Sequence, residues 1–255
     1  MIHDDLHFMP PRTSFVFDDS RHQERMDRRY RYQRHVFDLS RKLVLFGRDR
    51  AIAALRLGDA RSVLEIGCGT GRNLKQMADA YPALHLTGIE ISYEMLKSAR
   101  GKFARARLDQ RVTLLHGDAV APTDRKAPRI LMAYSLSMVP DWRRALAIAI
   151  ETLEPGGILA IVDFGNFGGL PDWLADVCVE MLSRQDAPPC LELPQELRRH
   201  ASSRALSVHH EYALAGLYQL AIVERAPGQE WPRSRRSRAR SGSGSPLDVP
   251  LRPPD

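Results

Sequence analysis

A glycine-rich turn directly follows an apolar run at residues 63–71, which read VLEIGCGTG. Its three glycines, Gly67, Gly69 and Gly71, alternate with other residues. Glycine permits a tight turn and lets a ligand lie against the backbone, and a helix that begins after the turn directs amide N–H groups at that ligand. The pattern predicts a loop for a nucleotide-type cofactor, and by itself it fits any cofactor of that type.

Two acidic residues and the loop after the third predicted strand extend this pattern. Glu90 lies nineteen residues after Gly71, at the end of the second predicted strand, where a carboxylate can accept both hydroxyls of a ribose. Glu65 precedes the first glycine by two positions. The run HGDAV at 116–120 follows the third predicted strand and offers Asp118 and the next backbone amide to an adenine edge.

The combination resembles the class I S-adenosylmethionine-dependent methyltransferases. The glycine spacing is G-x-G-x-G, whereas dinucleotide-binding folds use G-x-G-x-x-G. The resemblance covers residues 40–225 and includes LEPGGIL at 153–159. It implies S-adenosylmethionine as the cofactor, with the glycine loop against the methionine part, the acid at Glu90 on the ribose and the acid at Asp118 on the adenine amino group. The residues predicted to bind the cofactor are Glu65, Gly67, Cys68, Gly69, Gly71, Glu90, Ile91, Asp118, Ala119 and Ser135. The alternatives are an NAD enzyme and a nucleotide-fold domain that has lost its ligand.

No catalytic triad is expected in such a protein. The methyl group of a sulfonium is already activated, so the enzyme mainly aligns nucleophile, methyl carbon and sulfur and keeps an amine acceptor neutral. The fourth predicted strand ends in AYSLSMVPDW (133–142), which places Tyr134, Ser135 and Ser137 near the methyl group. An Asn/Asp-Pro-Pro-Tyr/Phe run is absent there, which disfavours adenine, cytosine or glutamine as the acceptor.

A basic, tyrosine-rich segment precedes the first strand. Residues 29–52 read RYRYQRHVFDLSRKLVLFGRDRAI and resemble the N-terminal signature of bacterial diacylglyceryl-homoserine N-methyltransferases, which make betaine lipids. The runs at 135–146 and 162–173 also resemble that family. Leu43, Val44 and Asn166 depart from its pattern, as does the Arg/Ser/Pro-rich C-terminal tail.

This second resemblance implies an acceptor with an amine and a carboxylate on a two-chain lipid. An arginine could hold the carboxylate, tyrosine rings could surround the nitrogen by cation–π contact, and a histidine could accept the proton that leaves before each transfer. The predicted catalytic residues are Tyr30, His35 and Tyr134, and the predicted substrate-binding residues are Tyr32, Arg34 and Arg41. A solvated arginine, a helix histidine and packed tyrosines remain the alternatives for these side chains.

Strands and helices alternate along the chain, which predicts an α/β fold. We expect a Rossmann-like, class I methyltransferase sheet of seven strands, mostly parallel, with an antiparallel hairpin at one edge. The predicted strands are 62–66, 84–89, 112–116, 129–135, 157–163, 203–211 and 215–224, and the predicted helices between them are 49–57, 73–80, 92–105, 141–153 and 171–183. The predicted organisation is a loose arm (1–25), a helical cap (26–58), a methyltransferase domain (59–225) and a disordered basic tail (226–255).

The formal net charge of +6 is concentrated at the two ends. Residues 21–50 hold ten Lys/Arg and four Asp/Glu, residues 225–255 hold seven and three, and the rest of the chain sums to −4. Basic ends suit an anionic lipid surface, a nucleic acid or no partner at all.

The sequence has no apolar run near the ~20 residues of a membrane-spanning helix, no signal-peptide layout and three scattered cysteines. We therefore expect a cytoplasmic protein, peripheral at the inner membrane face, with no metal. The expected partners are a lipid substrate and an enzyme that makes diacylglyceryl-homoserine.

Four alternatives stay open beside the betaine-lipid hypothesis. The same fold could methylate phosphatidylethanolamine or a lipid quinone precursor. The chain could instead be a nucleic-acid-binding protein of methyltransferase fold, which is disfavoured, or a non-catalytic scaffold.

Overall fold

A single seven-stranded sheet organises the part of the chain that the computed structural model describes, residues 46–121, 125–202 and 205–228. The strand order is β3-β2-β1-β4-β5-β7-β6. Strands β1 to β5 pair in parallel, and β7 pairs antiparallel with both β5 and β6. The predicted fold class is therefore confirmed. The strands are β1 Ser62–Ile66, β2 His85–Glu90, β3 Val112–His116, β4 Ala127–Ala133, β5 Leu153–Phe164, β6 Leu206–Ala213 and β7 Tyr218–Arg225.

The described residues also form six α-helices, the first before β1 and the others between strands: α1 Arg48–Ala54, α2 Arg72–Ala80, α3 Tyr93–Ala106, α4 Trp142–Thr152, α5 Asp172–Ser183 and α6 Leu193–Ser202. Two of these helices begin at N-cap side chains of the preferred types. The Ser92 side chain accepts a hydrogen bond from the Met95 amide before α3, and the Asp141 side chain accepts one from the Arg144 amide before α4. Helix α6 is absent from our predictions. Its buried residues are only Leu193, Glu196 and Leu197, so its apolar period is weak.

Several predicted boundaries are wrong, among them the starts of the last two strands, which begin at Leu206 and Tyr218 and not at residues 203 and 215. Three others are wrong for local reasons. The helix predicted over 49–57 ends at Ala54, because Arg56 takes a left-handed backbone with φ 50°. Strand β4 ends at Ala133 and not at residue 135, because Tyr134 is left-handed with φ 55°. Strand β5 begins at Leu153, four residues before the predicted start, where it pairs with Ala127 of β4.

Each face of the sheet is covered by its own apolar core, as a parallel sheet requires. Helices α1, α2 and α3 pack on one face, for which Leu55, Leu74 and Leu96 are fully buried examples. Helices α4 and α6 cover the other face, where Leu146 and Leu197 are fully buried. Helix α1 thus belongs to the same core as the glycine-loop strand.

The register aligns the ends of the parallel strands. Ile66 pairs with Ile89, Glu90 pairs with His116, and Ala133 pairs with Val162. We call the line of strand ends at Ile66, Glu90, His116, Ala133 and Phe164 the carboxyl edge. This is the edge where open α/β sheets bind their ligands.

The predicted arm (1–25), most of the cap (26–45) and nearly all of the basic tail (229–255) lie outside the described residues. Their predicted organisation stays a prediction.

Candidate functional site

A buried carboxyl group lies directly before the glycine loop. Glu65 is 1% exposed at the end of β1, and its Oε1 accepts a hydrogen bond of 2.7 Å from the Asn73 side-chain amide. Its Oε2 is buried and has no hydrogen-bond partner among the described residues. Burial raises the pKa of Glu65 to about 8, against the opposing effects of the Asn73 amide and the Arg48 guanidinium. A cationic donor from a ligand would satisfy Oε2 and restore the carboxylate.

The glycine loop is shaped by close approach at one glycine and by open space at another. Gly67 has φ 75°, and a Cβ there would lie 2.4 Å from the Ser135 Cβ. Gly69 has φ 53°, and a Cβ there would meet nothing within 4 Å. The first glycine therefore brings the loop against the segment after β4, while the second leaves room for a ligand.

The loop amides are used within the protein. The Gly67 and Cys68 amides both donate to the Ile89 carbonyl, at 2.8 and 3.0 Å, and the Gly71 amide donates to the Cys68 carbonyl at 2.9 Å. The amide groups that the sequence assigned to a ligand thus fix the loop to β2. The Cys68 side chain is buried, and a Cβ added at Gly88 would lie 2.6 Å from its Sγ. Burial raises the pKa of the Cys68 thiol, which keeps it protonated.

Glu90 ends β2 with a carboxylate that is oriented by two backbone amides. Its Oε2 accepts from Gly69 and its Oε1 accepts from Ser92, each at 2.9 Å. The side chain is 6% exposed. A carboxylate fixed in this way at the end of β2 suits the paired hydroxyls of a ribose.

The loop after β3 forms a tight turn on Asp118. The Asp118 carboxylate accepts from the Val120 amide at 3.1 Å, and its carbonyl accepts from the Ala121 amide at 3.1 Å. The predicted residue Ala119 lies inside this turn, and residues 122–124 beyond it are outside the described part. Recognition of adenine by Asp118 stays a prediction.

An aromatic stack stands between the second and third strand ends. The Tyr93 ring stacks on His116 with centroids 3.8 Å apart, and a His116 ring nitrogen lies 2.9 Å from the carbonyl oxygen of the predicted residue Ile91. These contacts fix Ile91 beside Glu90.

The segment after β4 is tied to both the glycine loop and the start of α1. Ser135 is buried, and its hydroxyl donates to the Ile66 carbonyl at 2.9 Å. The Tyr134 hydroxyl donates to the Phe46 carbonyl at 2.6 Å, and its ring meets Phe164 edge-on at 5.0 Å. Burial raises the pKa of Tyr134, so its hydroxyl is not a base near neutral pH.

Arg48 is a site residue that our sequence predictions missed. Its guanidinium lies 5.3 Å from the centroid of the Tyr134 ring, and its charge lowers the pKa of Glu65. The guanidinium is thus close to the segment after β4 and within electrostatic range of the glycine-loop acid. The Gly47–Arg50 run was recognised only as part of a signature, and nothing in its spacing indicates this contact.

The structure brings one part of the predicted site together and leaves another part undescribed. Ten predicted cofactor residues and Tyr134 lie along the carboxyl edge: Glu65, Gly67, Cys68, Gly69, Gly71, Glu90, Ile91, Asp118, Ala119, Ser135 and Tyr134. The predicted residues Tyr30, Tyr32, Arg34, His35 and Arg41 lie outside the described residues.

These features fit S-adenosylmethionine. Its amino-acid end carries an ammonium, which suits the unpartnered Glu65 Oε2, and a carboxylate, which suits Arg48. Its ribose suits Glu90, and the open side of Gly69 leaves room for it. When bound, the cofactor would supply an activated methyl group at this edge.

In residues 46–121, 125–202 and 205–228, no group of three or more His, Cys, Asp and Glu could hold a metal ion. In that same part of the chain, no helix is long and apolar enough to cross a membrane.

Residues 63–157 match a protein family described as a methyltransferase domain. The demethylmenaquinone methyltransferase of Listeria monocytogenes is 32% identical over 145 residues, which are 56% of this chain and 60% of that protein. The chain thus spans less than two thirds of this curated relative.

Solved structures share the fold at lower identity. An O-methyltransferase family protein from Burkholderia thailandensis superposes with a TM-score of 0.60 at 19% identity, over 73% of this chain and 58% of that chain. Phosphoethanolamine N-methyltransferase 2 from Haemonchus contortus, solved with S-adenosyl-L-methionine, gives 0.55 at 17% identity, over 70% and 52%. At these identities the solved structures show a shared fold alone, and residues 63–157 carry the match to a methyltransferase domain.

Proposed function

We propose that the chain is an S-adenosylmethionine-dependent methyltransferase and that it transfers the methyl group to an acceptor borne by a lipid. The observation that carries the methyl-transfer part is the buried Glu65 carboxyl, whose Oε2 lacks a partner at the carboxyl edge, directly before the glycine loop and near Glu90. The acceptor would enter from the side of Tyr134 and Phe164, which follow β4 and end β5.

The protein's contribution would be binding, alignment and exclusion of water. Glu65, Arg48 and Glu90 would fix the two polar ends of the cofactor. The Tyr134–Phe164 pair would form an apolar wall on the acceptor side. Proton removal from the acceptor would fall to water or to a residue outside the described part, such as the predicted His35.

Diacylglyceryl-homoserine is the first acceptor we propose, with stepwise methylation to the trimethylated betaine lipid. The support is the signature at residues 29–52, which runs into the described start of α1. The Gly47–Arg50 part of that signature lies at the site, since Arg48 reaches Tyr134 and Glu65. A positively charged segment that precedes α1 in the sequence suits a substrate that carries a carboxylate and lies in an anionic membrane.

A lipid quinone precursor is the second candidate acceptor. It is favoured over the homoserine lipid by the similarity to the demethylmenaquinone methyltransferase, which is 32% identical over 145 residues. A quinone precursor offers a flat, neutral ring, which suits the Tyr134–Phe164 wall.

The two acceptors can be separated in cells. In one arm, the full chain is expressed with an enzyme that makes diacylglyceryl-homoserine, and lipids are analysed by mass spectrometry. In the other, it is expressed in a strain that lacks its quinone C-methyltransferase, and quinones are analysed. A trimethylated homoserine lipid in the first arm alone supports the first acceptor. A methylated quinone in the second arm supports the quinone, and no product in either arm contradicts both. The Glu90→Ala variant is the inactive control in each arm.

A further inference from the structure

Helix α5 turns a stripe of large apolar side chains toward solvent. Trp173, Val177 and Met181 are 68%, 57% and 47% exposed. They recur every four residues and therefore lie along one side of the helix. Leu182 is the one buried residue of this twelve-residue helix. We call these three side chains the apolar stripe; a soluble surface seldom leaves such a row uncovered.

A row of acids runs beside the apolar stripe. Asp172, Asp176 and Glu180 share the same four-residue spacing and are exposed. Residues 172–183 contain no Lys or Arg, so the helix itself carries three negative charges, of which Glu180 forms an ion pair with Arg184 just after the helix. We call these residues the acidic stripe. A partner that covers both stripes must be apolar on one side and basic next to it.

Residues 26–45 have this chemistry. They contain six Lys/Arg and two Asp, and the apolar residues Val36, Leu39 and Leu43 recur at helical spacing. Twenty residues are enough to run along all of α5, which is about 18 Å long at ~1.5 Å per residue.

The first described residues, which directly follow residues 26–45, lie at the carboxyl edge. Phe46 is 42% exposed, and its carbonyl accepts from the Tyr134 hydroxyl at the carboxyl edge. Gly47 lies against the ring of Tyr218, so close that a Cβ there would be 2.4 Å from the ring. Arg50 donates to the Tyr218 hydroxyl at 2.9 Å and forms an ion pair with Glu211.

Helix α5 starts from the same edge. The loop between β5 and α5 is fixed to the start of β7, because Phe167 donates to the Gly216 carbonyl at 2.8 Å and Gly169 donates to the Ala215 carbonyl at 3.0 Å. Residues 26–45 therefore leave the described fold at the edge where α5 begins.

We propose that residues 26–45 dock on α5 of their own chain, with Val36, Leu39 and Leu43 against the apolar stripe and basic residues against the acidic stripe. Two other occupants fit less well. An anionic bilayer would be repelled by the three acids, and a second copy of α5 would place like charges together.

Cysteine cross-linking in the full chain tests this contact. The background is Cys178→Ser, since Cys68 and Cys190 are buried. Val177→Cys is combined in turn with Val36→Cys, Leu39→Cys and Leu43→Cys, and mild oxidation is followed by peptide mass spectrometry. The matched control replaces Val177→Cys by Ser98→Cys, an exposed position on α3. We expect an intramolecular cross-link in at least one pair, at least about tenfold above the control.

Charge reversal supplies a second readout. Asp172→Lys, Asp176→Lys and Glu180→Lys together should lower the cross-linking yield and speed trypsin cleavage between residues 28 and 42. Cross-links between two chains would overturn the proposal in favour of a dimer. Vesicle binding that is lost in Trp173→Ser would overturn it in favour of a membrane face. Equal yield in target and control pairs would also overturn it. Cofactor binding is not needed for any of these readouts, so failure here leaves the proposed function standing.

Discussion

At the scale of single residues, Glu65 sets how the site responds to pH. The group is buried with one oxygen lacking a partner, and its pKa is raised to about 8. In the ligand-free protein the protonated form is therefore favoured at neutral pH. Burial favours the protonated carboxyl over the carboxylate. The stability of the folded protein that is linked to Glu65 is therefore fully present below the ordinary pKa of 4.5 and is lost as the pH rises through 8. A ligand ammonium needs the carboxylate, so cofactor binding must remove this proton.

Cofactor affinity should consequently rise with pH between 6 and 8. Below pH 8 we expect S-adenosylmethionine to bind about tenfold more weakly for each pH unit, because one proton is released on binding. Isothermal titration calorimetry over this range measures the effect. Glu65→Gln should bind more weakly at pH 8 and show a flat profile from 6 to 8. A flat profile in the unmodified protein would show that Glu65 does not face the ammonium.

Glu90 should dominate the affinity for the ribose. Glu90→Ala removes the acceptor for the Gly69 and Ser92 amides as well as the acceptors proposed for the two hydroxyls. At about 1.5–3 kcal/mol for each hydrogen bond to a charged group, we expect the dissociation constant to rise at least about 100-fold. The control is Asp79→Ala, which removes an exposed carboxylate paired only with Lys75 on α2. Similar affinity in both variants would remove the ribose assignment.

The Tyr134 hydroxyl should matter more for holding α1 than for proton transfer. Its pKa is raised by burial, and it donates to the Phe46 carbonyl. Tyr134→Phe should lower the free energy of unfolding by about 1 kcal/mol and leave the pH profile of turnover unchanged between 6 and 9. Chemical denaturation and initial-rate measurements check the two parts. A loss of turnover above about 100-fold with unchanged stability would make the hydroxyl catalytic.

At the scale of elements, two glycines of the glycine loop have different roles: Gly67 serves packing and Gly69 leaves room for the cofactor. Gly67→Ala should destabilise the fold by about 3 kcal/mol, because its Cβ would collide with Ser135 and its φ of 75° strains any other residue. Gly69→Ala should cost about 1 kcal/mol of stability but weaken the cofactor, because its Cβ would enter open space where the ligand is expected. Thermal unfolding and calorimetry give the two quantities. Equal loss of stability in both variants would contradict this division.

The elements also show what the sequence could predict. The alternation of apolar runs with turn residues predicted all seven strands, since a strand between two helical layers is apolar throughout. Helix α6 was not predicted because its apolar period is weak. Strand β4 was predicted too long because no feature of the sequence indicates the left-handed backbone of Tyr134. The contact of Arg48 with Tyr134 was not predicted, for another reason. It depends on where α1 packs, and spacing along one helix does not contain that information.

At the scale of the whole molecule, the cofactor half and the acceptor half of the protein differ in what is known of them. The cofactor half is built from adjacent strand ends, so its residues follow from motifs and spacing. In our proposal the acceptor half also involves residues 26–45, whose sequence is basic and aromatic.

Transfer of a labelled methyl group to lipid tests the central claim most directly. The purified full chain would be incubated with S-adenosylmethionine carrying a deuterated methyl group and with a detergent-solubilised bacterial lipid extract that contains diacylglyceryl-homoserine and demethylated quinones. We predict label in the lipid fraction, on the homoserine nitrogen or on a quinone ring, and none with Glu90→Ala. Binding of S-adenosylmethionine with label only in water-soluble, protein or nucleic-acid fractions would contradict a lipid acceptor.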